Sequence, residues 1–177
     1  MSDSLLPTAP ALDEPLEMLE ACHGRIEAQL KTLERLLAHL PVHGADRQAS
    51  QAARAIIRYF DTAGQHHHED EESDLFPMLQ RAAGAESAMV SALVEGLLAD
   101  HAAMFEAWSA VREQLLPIAE GTGAALDGAS VACLASRYRT HIERENRELL
   151  SVSRRLLHAQ DIETLSRAMT ARRSQKR

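Results

Sequence analysis

Apolar residues recur along this chain at intervals of three and four in four long stretches, the spacing that lines one face of an α-helix. The first runs Leu16, Leu19, Ile26, Leu30, Leu33 and Leu37 and stops near Pro41 and Gly44. The second runs Ala53, Ile56, Ile57, Phe60, Leu75 and Met78, is interrupted in its middle by polar residues, and stops near Gly84. Pro77 is expected to kink it or end it early, because a proline inside a helix removes a hydrogen bond and crowds the preceding turn. The third runs Val90, Leu93, Val94, Leu97, Met104, Trp108, Val111 and Leu115 and closes at Pro117 with Gly121 and Gly123. The fourth runs Val131, Leu134, Tyr138, Ile142, Leu149, Val152 and Leu156. Four long amphipathic helices with short connections predict an all-α, up-down-up-down four-helix bundle. Residues 1–13, with Pro7 and Pro10 and no period, are expected to form a flexible leader. Residues 14–158 then form the bundle, and residues 159–177 a short C-terminal extension, with a helix near 161–171 and a solvated basic tail from Arg172 to Arg177.

Composition agrees. At 177 residues, one hydrophobic core suffices, and the chain favours Ala, Leu, Glu, Gln and Arg over aromatics, which make up only 3%. A formal net charge of −7 argues against a general affinity for nucleic acid or anionic membrane. Cys22 and Cys133 stand alone, without a Cys-x-x-Cys pair, and read as reduced thiols. The N-terminus lacks the order of a signal peptide, and no apolar run approaches membrane-spanning length. A cytoplasmic location is expected.

The candidate chemistry lies where polar residues break into the apolar stripes. On a wheel of about 100° per residue, His67 and Glu71 fall in the middle of the stripe set by Ile56, Phe60 and Leu75. The rival register, His68 with Glu72, is rotated to the stripe's edge, so those two are expected to orient other ligands at most. His141 and Glu145 repeat the four-residue spacing among Tyr138, Ile142 and Leu149. His101 sits between Leu97 and Met104, and His23 between Leu19 and Ile26. His23 and His67 flank the 41–46 turn at matching distances, and His67 and His101 flank the 83–86 turn likewise, so an antiparallel bundle brings them to one level. His101 and His141 match more loosely across the longer 118–127 connection. A single core histidine is ordinarily a hydrogen-bonded packing residue, but four histidines and two glutamates at one level are hard to bury without a cation, since an unpaired buried carboxylate costs several kcal/mol. Imidazoles and carboxylates in a bundle core suit iron or manganese, and carboxylates can bridge two ions. His39, His43 and His158, near helix ends, read as solvated. Cys22 reads as pointing off the stripe, and Met104, Trp108 and Tyr138 as pocket wall, with Tyr138 the best placed of these to react.

The segment His67-His68-Glu69-Asp70-Glu71-Glu72-Ser73-Asp74-Leu75-Phe76-Pro77, with the lone histidines of the first and third helices and His141-x3-Glu145 on the fourth, resembles the HHE-type branch of the hemerythrin family over about residues 15–158. The resemblance implies two non-haem irons, carboxylate- and oxo-bridged, held by His23, His67, His101 and His141, with Glu71 and Glu145 bridging. Oxygen-carrying members have a further histidine one turn after that of the third helix, where this chain has Phe105, read here as core-facing. They also use a longer His-x4-Asp spacing on the fourth. The resemblance therefore implies a di-iron protein responsive to O2 or NO, or one that handles iron, rather than a simple oxygen store. A di-iron enzyme acting on peroxide or nitric oxide is the alternative.

Overall fold

The first helix begins where the sequence offers a proline at its opening turn, a position at which the missing N–H is not needed. In the computed structural model, which describes residues 14–174, helix α1 spans Pro15–His43 and ends on Gly44 at φ +66°, a left-handed conformation that favours glycine. Helix α2 covers residues 47–82. Asp46 caps it by accepting from the Ala49 N–H at 2.8 Å. Helix α3 is Ser87–Glu120 and continues one turn past Pro117 to Gly121, at φ +74°. Helix α4 covers residues 128–156, capped by Asp127, which accepts from the Ser130 N–H. Helix α5, Ala159–Ser174, is longer than the periodicity indicated. Among the described residues there are no strands. The predicted leader, residues 1–13, lies outside the described residues.

Two of these helices are not regular. In α2 the α-helical turns Arg47–Tyr59, Gln65–Asp70 and Phe76–Ala82 are separated by wider π turns at Phe60–Gly64 and Glu71–Leu75. In α4 a π turn spans Glu145–Leu149. Residues four apart in a regular helix are offset by about 40° and already share one face, as Glu71 and Leu75, or Glu145 and Leu149, would. The under-wound i→i+5 turn shifts that offset to the opposite side without removing it. Leu75 and Leu149, four residues beyond their glutamates, are fully buried. Pro77 does not end α2, which continues to Ala82; it sits in the first turn after the second π segment.

The core is split into two apolar clusters. One gathers Leu30 and Leu33 of α1, Ile56 and Phe60 of α2, Met104 and Trp108 of α3, and Leu134 and Tyr138 of α4. The other gathers Leu19, Leu75, Leu97 and Leu149 from the same four helices, together with Leu165 and Met169 of α5. Each of the first four helices thus contributes to both clusters, entering from alternate ends. With the turn Gly84–Glu86 ahead of it, α3 holds an 18-residue window of mean hydropathy 1.3 and is long and apolar enough by length and composition to cross a membrane. That differs from the reading of the sequence. Its buried face, Val90, Leu97, Met104, Val111 and Leu115, packs in both core clusters.

Candidate metal centre

The layer between the two clusters is polar. His23, His67, Glu71, His101, His141 and Glu145 meet there, each 4% exposed or less. His67 and Glu71 lie inward as the wheel required, and Glu72 is turned to the surface. Glu145 is the hub: its Oε2 lies 3.1 Å from His23 Nε2 and its Oε1 3.0 Å from His141 Nε2. Glu71 lies 3.4 Å from both His67 Nε2 and His101 Nε2, one carboxylate oxygen to each. His101 Nε2 and His141 Nε2 face each other at 3.1 Å. Two groups of four donors result, His23-His67-Glu71-Glu145 and Glu71-His101-His141-Glu145, and within each the donor atoms lie within 4.8 Å of one another. The two groups share both glutamates.

Close approach here is not the same as hydrogen bonding. Both oxygens of Glu71, both of Glu145, His23 Nε2 and both ring nitrogens of His67 are buried without a hydrogen-bond partner in the chain. Such atoms ordinarily cost about 1–3 kcal/mol each when left so. A shared cation accepts lone pairs from all the converging atoms at once, and the donor set fits that role.

The electrostatics follow from burial. Burial, and then the neighbouring Glu145 charge, pushes the Glu71 carboxyl well above the usual range. Burial also pushes Glu145 upward, but the imidazoles of His141 and His23 outweigh it and hold that carboxyl well below the usual range. His67 is pushed down to about 3 by burial, against the pull of Glu145. His68 and His101 are also lowered, chiefly by burial. Burial works the same way on His141, but Glu145 and Asp100 raise it above the ordinary value. The lowered His67 and His101 and the readily ionised Glu145 suit metal binding, which needs ligands without the proton.

Three of the four inner histidines are braced through Nδ1. His101 Nδ1 pairs with Glu72 at 2.6 Å, the orienting role anticipated for that residue. His23 Nδ1 meets Asn146 Oδ1 at 2.7 Å, and His141 Nδ1 meets Asp100 Oδ2 at 3.4 Å. With Nδ1–H donated outward, Nε2 is left to face the centre. Asn146 and Asp100 were not singled out in the sequence. Asp100 directly precedes His101, but nothing in one helix's pattern shows that it reaches across to α4. A groove of about 640 Å³, lined by Glu20, Gly24, Glu27, Arg139 and Asn146, reaches His23 from the surface between α1 and α4.

Some expectations need correction. Phe105 does not face the core; it is 64% exposed. The buried residues Leu97, Met104, Trp108 and Leu115 centre about 40° to one side of His101, and Phe105 lies about 40° to the other. Leu98 and Leu116, on the same outer line, are exposed too. Cys22 is buried rather than turned away, and its sulfur accepts from Arg25 at 2.9 Å, but it belongs to neither donor group. The basic end is not wholly a solvated tail: Arg172 and Arg173 pair with the fully buried Asp70, Arg173 Nη2 at 2.6 Å from it. His39 is half-buried, stacked on His43 and bonded to Asp46, whereas His158 is exposed as expected. Tyr138 is buried against Phe60, 5.3 Å away, as pocket wall.

Comparison with known proteins agrees with this geometry. A protein of Haemophilus influenzae described as uncharacterized is 29% identical over 164 residues, covering 93% of this chain and 92% of its own. The family described as the hemerythrin HHE cation binding domain matches residues 14–152, which include all six inner side chains and all but the last four residues of the helices that supply them. The chain belongs to the hemerythrin HHE cation-binding family.

Proposed function

We propose that this protein is an up-down-up-down four-helix bundle holding two non-haem irons, with His23 and His67 on one ion, His101 and His141 on the other, and Glu71 and Glu145 bridging. The observation that carries the reading is the sharing of both glutamates by two four-donor groups whose buried oxygens lack hydrogen-bond partners. One ion in either group would engage four of the six side chains and leave two histidines unused. Reduced iron in such a centre binds O2 or NO and can change oxidation state. What the chain contributes is a dry, braced set of donors: the two apolar clusters exclude water above and below, and Glu72, Asn146 and Asp100 fix the tautomers. The function we infer is response to O2 or NO, or handling of iron, in a reducing compartment where Cys22 and Cys133 remain thiols.

The deciding experiment is anaerobic loading with Fe(II), followed by metal counting and optical spectra before and after O2 or NO. Two irons per chain and a ligand-dependent spectral change are expected. A limit of one iron under iron-sufficient conditions would refute the bridged pair. Sustained turnover with peroxide or NO would move the protein to the enzymes.

A further inference from the structure

We propose that His68 is a fifth histidine donor, belonging to the His101–His141 half of the centre. The proposal rests on the di-iron reading above and extends it by one residue that the pattern of the sequence places at the stripe's edge.

His67 and His68 are consecutive on α2 and so point about 100° apart. Helix α2 packs against α1 on one side and α3 on the other. His67 faces the α1 side, where its ring meets His23 edge-on at 5.0 Å. His68 faces the α3 side: its ring stacks on His101 at 4.0 Å with planes 17° apart, and lies 6.3 Å from His141. One ring nitrogen each of His68, His101 and His141 falls within 4.8 Å of the others, a third donor group beside the two that share the glutamates. Helix α2 therefore delivers one imidazole to each half.

The hydrogen bonding of His68 also differs from that of its neighbours. His23, His101 and His141 each engage one nitrogen with a side chain that orients the ring. Among the described residues, neither nitrogen of His68 has such a partner. Its ring is half-buried between His101 and the parallel ring of Tyr138, 6.2 Å away. An imidazole held in place by stacking, with its nitrogens uncommitted and two proposed ligands beside it, is positioned as a donor rather than as a brace. The two halves then differ, with two imidazoles facing one ion and three facing the other. The less crowded half is the one nearer the groove at His23.

The test uses the full chain loaded anaerobically with Co(II), whose unpaired electrons shift the N–H protons of coordinated imidazoles far outside the ordinary NMR window. Wild type should take up two ions and show five such exchangeable signals. His68→Phe keeps the stacked ring but removes the nitrogens. It should lose one signal and weaken one of the two ions by more than about tenfold, the lower bound typical for losing a residue that merely orients a ligand. His68→Gln, read in the same way, serves if the phenyl ring disturbs folding, which a metal-free thermal melt reports. Four signals in the wild type, or unchanged affinity for both ions in the variants, would overturn the role of His68 and leave the six-donor centre standing. Failure of the wild type to bind two ions would overturn both readings.

Discussion

Replacing Arg172 and Arg173 together by alanine tests whether α5 is part of the fold. Asp70 has no exposed surface and immediately precedes Glu71 on α2. Both guanidiniums engage it, and Arg172 also reaches Asp74 at 2.6 Å. The arginine side chains are themselves only 19% and 29% exposed, so the cluster is more shielded than a surface ion pair. Removing both cations leaves a buried carboxylate uncompensated, which costs about 3–5 kcal/mol, a large part of the roughly 5–15 kcal/mol that holds a domain together. With a urea dependence of about 2 kcal/mol per molar, the unfolding midpoint of the metal-free protein should fall by about 2 M. Asp70→Asn in the same background should recover at least half of that loss, because it removes the orphaned charge. A loss under about 1 kcal/mol, the range of exposed pairs, with no rescue by Asp70→Asn, would show that Asp70 is solvated in solution and that the arginines are loose.

Other consequences can be checked independently. Phe105→Ser should leave stability within about 0.5 kcal/mol and metal loading unchanged, and Phe105→His should add no ligand; a change in metal content would place the side chain inward after all. Asn146→Ala should weaken metal binding by about 10–100-fold through loss of the His23 brace, while urea unfolding of the metal-free form changes little; equal loss of fold and metal would make Asn146 structural. The metal-free protein should be acid-labile. His67 at about 3 in the fold, against about 6.5 unfolded, means that the unfolded chain alone takes the proton between those values. Stability from this group is therefore present above pH 6.5 and is lost as pH falls toward 3, by about 2 kcal/mol at pH 5. The lowered His68, His101 and Glu145 act in the same direction, and the raised Glu71 and His141 act against them. Urea unfolding at pH 7 and pH 5 decides this, and equal or greater stability at pH 5 would refute it.

The helices and the inward direction of six donors were legible in the sequence because side-chain direction along a helix depends on little more than residue count. His67 with Glu71 and His141 with Glu145 needed only a four-residue spacing on an apolar stripe. The π turns at Glu71–Leu75 and Glu145–Leu149 were not legible, since they carry no compositional mark and their buried residues would share a face in a regular helix too. Phe105 shows the same limit from the other side. It lies one turn from His101, yet only the placement of α2 and α4 around α3 decides where the core sector ends. The braces of the histidines and the anchoring of α5 join residues far apart in the chain, as Asn146 to His23 and Arg173 to Asp70. Periodicity within one helix says which face is buried. Which polar group waits on the opposing helix depends on the rotation and height of that neighbour, and these are set only when the two apolar clusters close above and below the donors.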